Sequence, residues 1–175
     1  MNSRANTIIE FWFVKTPSEK RFKREDDFDL EIRNNFMEDY NLASSGEYDD
    51  WLNKPKECLA LIILLDQFSR NLFRDKKEAF DQDHKARLAV NQGIYLGYLE
   101  EFDDTEKLFF LLPLIHSEEL IDHERAYGLL NKYLKNHPDI KTIKKFRRYP
   151  HRNKILGRQS TTEEINFLNS PNSSW

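Results

Sequence analysis

Apolar residues along this chain recur at spacings of three and four, the period of a helix that buries one face. From Asp26 to Ala43 the residues Phe28, Ile32, Phe36 and Tyr40 return at every fourth position and form one stripe, and Ser44-Ser45-Gly46 ends the run. An earlier helix is predicted over Ala5 to Val14, carrying Ile8, Ile9, Phe11, Trp12 and Phe13 and closed by Lys15-Thr16-Pro17-Ser18. Pro55 suits the first turn of a third helix that reaches about Phe73. Asp81 to Gly97 reads as a fourth, with Ala86, Ala89, Val90 and Ile94 inward and a Gly93-x-x-x-Gly97 spacing suited to close helix packing.

Downstream, Thr105 is expected to cap the next helix with Glu106 in its first turn. Pro113 is expected to kink or break it, because proline lacks a backbone donor and clashes with the preceding turn. A further helix then runs from Leu114 through Ile121 and Leu130 to Asn136. Pro138 opens a short basic helix that Pro150 closes, and Ser160-Thr161-Thr162-Glu163 has the form of a capping box leading into Ile165, Phe167 and Leu168. Residues 169–175 read as a frayed tail. Nowhere does a period-two alternation of β-branched residues suggest a sheet, so the predicted fold is all-α. Few glycines and prolines and no low-complexity linker make residues 1–175 one domain, with short connections favouring antiparallel helix pairs.

Composition adds a compartment. A chain of this length buries roughly 70% of its unfolded surface. Thirteen Phe, seven Tyr and three Trp supply the core, while 33% charged residues and a mean hydropathy of -0.77 supply the solvated exterior. Cys58, the only cysteine, sits among apolar neighbours as a buried thiol, which with no possible intrachain disulfide points to a reducing compartment. The N-terminal cluster lacks a cleavage site, and the longest apolar run, Cys58 to Leu65, falls far short of the ~20 residues that span a bilayer. A soluble, cytoplasmic protein is the expectation, with no membrane partner.

Charge is distributed unevenly. Ile140 to Thr162 carries eight Lys and Arg and no carboxylate, whereas Leu99 to Arg125 carries nine carboxylates against Lys107 and Arg125. Contact between the two would close the fold electrostatically. A pI near 6.0 argues against a nucleic-acid-binding domain.

Three stretches hold the candidate chemistry. In Leu65-Asp66-Gln67-Phe68-Ser69-Arg70-Asn71-Leu72-Phe73-Arg74, helical stepping places Asp66, Gln67, Arg70, Asn71 and Arg74 within an arc of about 140° on one face. That is the pattern of a buried helix turning polar at the rim of a cavity. The alternative is internal pairing, with Asp66 and Arg70 as an i,i+4 ion pair. The second, Pro113-Leu114-Ile115-His116-Ser117-Glu118, offers His116 beside Glu118 as an acid–base pair, or Ser117 and Glu118 as partners for backbone freed at Pro113. His116, Glu119 and His123 share a helical face, but without a motif such as H-E-x-x-H no metal site is assigned. The third runs from Phe146 to Arg158, where His151, Arg152, Asn153 and Arg158 suit a small anion. Gly93 to Gly97 is no nucleotide loop and no G-x-S-x-G elbow occurs, so no cofactor is expected.

On these stretches, together with Ile9-Glu10-Phe11-Trp12-Phe13 and the ending Gly157-Arg158-Gln159-Ser160-Thr161-Thr162-Glu163, the chain resembles bacterial proteins described only as domain of unknown function 924. It departs where the family usually has proline, at Ser69, and glutamine, at His123, the latter weakening a metal site further. The resemblance implies a TPR-like superhelix of antiparallel helix pairs with converging polar residues. The leading functional expectation is a binding module for a peptide segment or small anionic ligand, its site drawn from Asp66, Gln67, Arg70, Asn71, Arg74, His116, Ser117, Glu118, His151, Arg152, Asn153 and Arg158. One alternative is an enzyme using His116 and Glu118 with Arg152 on an anionic substrate. The other is a purely structural or scaffold protein.

Overall fold

The computed structural model describes residues 2–133 and 141–170, and every described element is helical. Helix α1, Ser3–Ile9, continues as a π-helical turn over Glu10–Lys15. A 3-10 segment, Ser18–Phe22, leads to α2, Asp26–Ser45, which Gly46 ends at φ 97° with Glu47 N donating to Leu42 O at 3.0 Å. That left-handed position costs glycine no Cβ clash, which is why the helix stops there. Next come α3, Pro55–Ile62, a π-helical stretch over Ile63–Phe68, and α4, Ser69–Leu72. Helices α5, Asp83–Tyr95, α6, Asp104–His116, and α7, Leu120–Tyr133, follow. The chain closes with α8, Lys141–Phe146, a 3-10 turn at Pro150–Arg152, and α9, Thr162–Leu168. The expected continuation to Asn136, the start at Pro138 and most of the expected tail lie outside the described residues.

The continuous apolar run dictates the centre. Cys58 to Leu65 is buried on every side, so α3 and its π-helical extension pack against α1, α2, α5 and α6 at once. Phe11, Trp12 and Phe36 surround Phe68, and Trp12, 5.5 Å from Phe68 and 5.6 Å from Phe109, meets both edge to face. Trp12 and Trp51 are core residues, as is Cys58, whose thiol burial pushes up to about 12. Gly93 is where α5 meets α6, because a Cβ there would stand 2.6 Å from Phe110 Cζ. Gly97 makes no such approach; it lies in open space at φ 78° after α5 has ended.

Several boundaries differ from the sequence expectation: α5 is shorter at both ends, α7 begins at Leu120 and not Leu114, and three further differences have a clear cause. The cap of α6 is Asp103, not Thr105: its Oδ1 accepts Glu106 N at 2.9 Å while Glu106 Oε2 accepts Asp103 N at 3.0 Å. Thr105 is already inside the first turn. The box at α9 is shifted by one residue to Thr161 and Glu164. Pro113 does not break α6, which runs through it and stops at Ser117. A mid-helix proline costs about 3 kcal/mol. Burial of Phe109, Phe110, Leu111, Leu114 and Ile115 around it offsets that cost.

Candidate functional site

The end of α6 determines how the site is assembled. A helix C-terminus leaves its last carbonyls without intrahelical partners. Here the closing segment and α7 supply them: Tyr149 Oη donates to Ile115 O at 2.6 Å, Arg152 Nη1 to His116 O at 2.9 Å, and His123 Nε2 meets Ser117 O at 2.6 Å. Tyr149 N also donates to Glu118 Oε1 at 2.8 Å, and Arg158 clasps the same carboxylate through Nη1 at 2.5 Å and Nη2 at 2.9 Å. The second and third polar stretches are thereby tied together. This differs from the expected local repair by Ser117 and Glu118, since Ser117 Oγ instead donates to Asp122 and accepts Glu119 N.

The first stretch meets them through one buried carboxylate. Asp66 is fully buried, and His116 Nδ1 lies 2.8 Å from its Oδ1 and 3.0 Å from its Oδ2. Gln67 Nε2 donates to Asp66 Oδ2 at 2.5 Å, and Arg70 Nη2 lies 3.2 Å from Oδ1. Burial by itself would raise the Asp66 pKa; the charge of Arg70 and the hydrogen bonds from His116 and Gln67 reverse that and hold it well below the carboxylate range. Because an ionised carboxylate only accepts, His116 Nδ1 is the protonated nitrogen. The expected partner of His116 is therefore corrected: it is Asp66, and Glu118 belongs to Arg158.

Above this pair lies a cleft of about 560 Å3. Of the candidate residues, Gln67, Arg70, Asn71, Arg74, His116, His151 and Arg152 line it. Asp66 lies beneath His116. Ser117, Glu118, Asn153 and Arg158 form the framework behind it: Asn153 is buried and reaches Ser160 and Glu164, and Arg158 Nε donates to Asn153 Oδ1 at 3.0 Å. The i,i+4 pair of Asp66 and Arg70 is present too, with Arg70 extended to Asp83 at 2.9 Å. Among the described residues no three His, Cys, Asp or Glu gather to hold a metal; His123 is spent on Ser117 and Glu119 is exposed. Of the basic segment, Arg158 joins the acidic one through Glu118, whereas Lys145 and Arg148 pair with Glu163 and Glu164.

One wall of the cleft lies outside the three expected stretches. Arg21, Phe22, Lys23 and Arg24 face the cleft from the segment after α1, and Lys76 and Phe80 from the turn after α4. The run Lys20-Arg21-Phe22-Lys23-Arg24, basic with an interleaved aromatic, was the available signal. With it, among the described residues, seven arginines and lysines line the cleft against one carboxylate, Asp75. Asp29 and Asp83 offset Arg74 and Arg70 from behind, but Arg21, Lys23 and Lys76 have no ion pair among the described residues. Arg21 is held instead by the carbonyls of Trp12, Phe13 and Thr16. Leu108, Leu112, Ile115 and Ile155 form the apolar side.

Arg152 is buried and only partly satisfied, with Nη1 on His116 O and 3.8 Å from Asp83 Oδ2. It is 7% exposed, its guanidinium lies between the rings of Phe80 at 4.7 Å and Tyr149 at 4.6 Å, and its Nε has no hydrogen-bond partner. Burial and the neighbouring Arg70 lower its pKa, an environment that an added anion would relieve. Burial, then the charge of Arg152, pushes the adjacent His151 down to about 4, so its imidazole is neutral at pH 7. A second depression, about 540 Å3 beside Tyr48, Trp51 and Glu57, lacks such groups; Glu57 is engaged by Asn2 N and Lys54.

The comparisons agree with this architecture. The chain is 33% identical to a protein of unknown function from Agrobacterium tumefaciens, whose solved structure superposes with a TM-score of 0.88 over 95% of this chain and 97% of that one. No protein with a curated description matches. Residues 8–172 match the family described as bacterial protein of unknown function (DUF924), and that family is the one to which the chain belongs.

Proposed function

We propose that the protein is a binding module whose cleft holds a small ligand with an anionic group and an apolar body. The observation that carries this reading is the pairing of Lys23 and Lys76, which have no ion pair among the described residues, and Arg152, whose buried Nε has no hydrogen-bond partner there, with an apolar side formed by Leu108, Leu112 and Ile115. Pockets of this size that combine apolar walls with a few convergent polar groups are the usual setting for small-molecule recognition. A small ligand is favoured over a peptide because the lining reaches inward to His116 and Arg152 rather than along an unpaired backbone edge. The TPR-like superhelix that the resemblance implies is part of the proposal, supported by α6 packing on both α5 and α7.

Thermal unfolding with octyl phosphate tests it. A ligand that binds only the native state at 100 times its Kd adds about 2.7 kcal/mol. The expected outcome is a concentration-dependent rise in Tm with octyl phosphate, much smaller rises with octanol or inorganic phosphate, and a loss of the response in Arg152→Ala. Equal responses to all three compounds, or none, would remove the basis for this function.

A further inference from the structure

We propose that the Asp66–His116 pair makes the cleft hydrolytic: His116 Nε2 acts as general base for attack of water on the carbonyl carbon of an anionic acyl ester. This rests on the cleft accepting an anionic, partly apolar ligand, and adds a reaction to it.

The geometry is that of an oriented base. Both Asp66 oxygens lie within 3.0 Å of His116 Nδ1, and Asp66 is itself fixed by Gln67 and Arg70. The bond sets the tautomer, so the Nε2 lone pair is free. What sets His116 apart from the buried His123, whose Nε2 is bonded to Ser117 O, is that its unbonded nitrogen is on a side chain that reaches the cleft. His116 engages one ring nitrogen; it lines the cleft with a side chain 24% exposed, and its Nε2 has no partner among the described residues. The π-helical turn carrying Asp66 and Gln67 is a second mark, because such turns inside helices gather at functional sites.

The nucleophile follows from what surrounds the base. Among the described residues no Ser, Thr or Cys lines the cleft. Ser69 Oγ donates to Asp66 O, Ser117 Oγ to Asp122, and Cys58 is buried. Water is therefore the attacking group. Its oxygen bonds to the carbonyl carbon, the C=O electron pair moves to oxygen, and its proton passes to Nε2. When the tetrahedral intermediate collapses, the bond to the alkoxy oxygen breaks and the imidazolium returns the proton to that oxygen. Ester and water become carboxylic acid and alcohol, with the protein restored. Arg152, whose Nη1 is bonded to His116 O, places positive charge beside the reacting carbonyl and stabilises the oxyanion. The substrate's own anionic group belongs with Lys23 and Lys76, and its apolar part against Leu112.

The test uses mono-4-nitrophenyl adipate as substrate and octyl phosphate as a non-hydrolysable occupant. Wild type is expected to hydrolyse the ester with saturation and to be inhibited by octyl phosphate. His116→Gln is expected to lose 10²- to 10⁴-fold in kcat, the usual size of a general-base contribution. It should still bind octyl phosphate, which shows that the cleft is intact. Asp66→Asn should lower kcat with KM unchanged, and added imidazole should restore part of the activity of His116→Ala, which a structural role does not predict. If wild type binds octyl phosphate but hydrolyses no faster than His116→Gln, the hydrolytic proposal falls and the binding function stands. Absence of both binding and saturable hydrolysis overturns the two together.

Discussion

His151 is held neutral by burial and by the charge of Arg152, with its pKa at about 4 against an ordinary 6.5, and His123 is also lowered by burial. Between those two values the unfolded chain takes up the proton and the folded one does not. Stability must therefore fall as pH drops from about 6.5 toward 4, before the depressed carboxylates Asp66 and Glu118 titrate. Urea midpoints measured at half-unit steps should show this slope, and His151→Gln should flatten it; an unchanged slope contradicts the assignment. Cys58, with its thiol at about 12 inside the core, should react with a thiol reagent only on the timescale of unfolding. Residue identity was the most legible layer. The polar set from Asp66 to Arg74 was readable because one helical face changes character after Leu65. That His116 answers to Asp66 was not readable, because fifty residues separate them and Glu118 is two away.

Elements were legible where apolar spacing repeats, as in α2, and less so where caps compete. Asp103, Asp104 and Thr105 all suit the start of α6, and only the backbone shows that Asp103 is the extended one. Asp103→Ala should cost about 1 kcal/mol, with Thr105→Ala costing less; the reverse order would restore the sequence reading. For a related reason the helix continues past Pro113 without the break that proline allowed, since local propensity yields when tertiary burial outweighs it. At Gly93 the close approach of Phe110 is a packing requirement. Gly93→Ala should destabilise by about 1–3 kcal/mol, as overpacked cores do, and neutral behaviour in urea would show that α5 and α6 are farther apart. The π-helical turn over Ile63–Phe68 left no trace in the sequence, because its apolar residues satisfy either helical period.

At the scale of the molecule, three segments far apart in sequence close one cleft, and a fourth, Arg21 to Arg24, adds much of its charge. No helix among the described residues is long and apolar enough to cross a membrane. Cations outnumber Asp75 among the described residues that line the cleft, so the affinity of the proposed anionic ligand should weaken as salt rises. The apolar side should keep a neutral analogue weakly bound at any salt. The decisive measurement is isothermal titration of octyl phosphate into wild type and into the exposed-charge double variant Lys23→Glu/Lys76→Glu. One site per chain is expected in wild type, weakened at least tenfold in the variant while its unfolding midpoint is preserved. Absence of heat in the folded wild type, or equal affinity in both proteins, would contradict the proposed binding function.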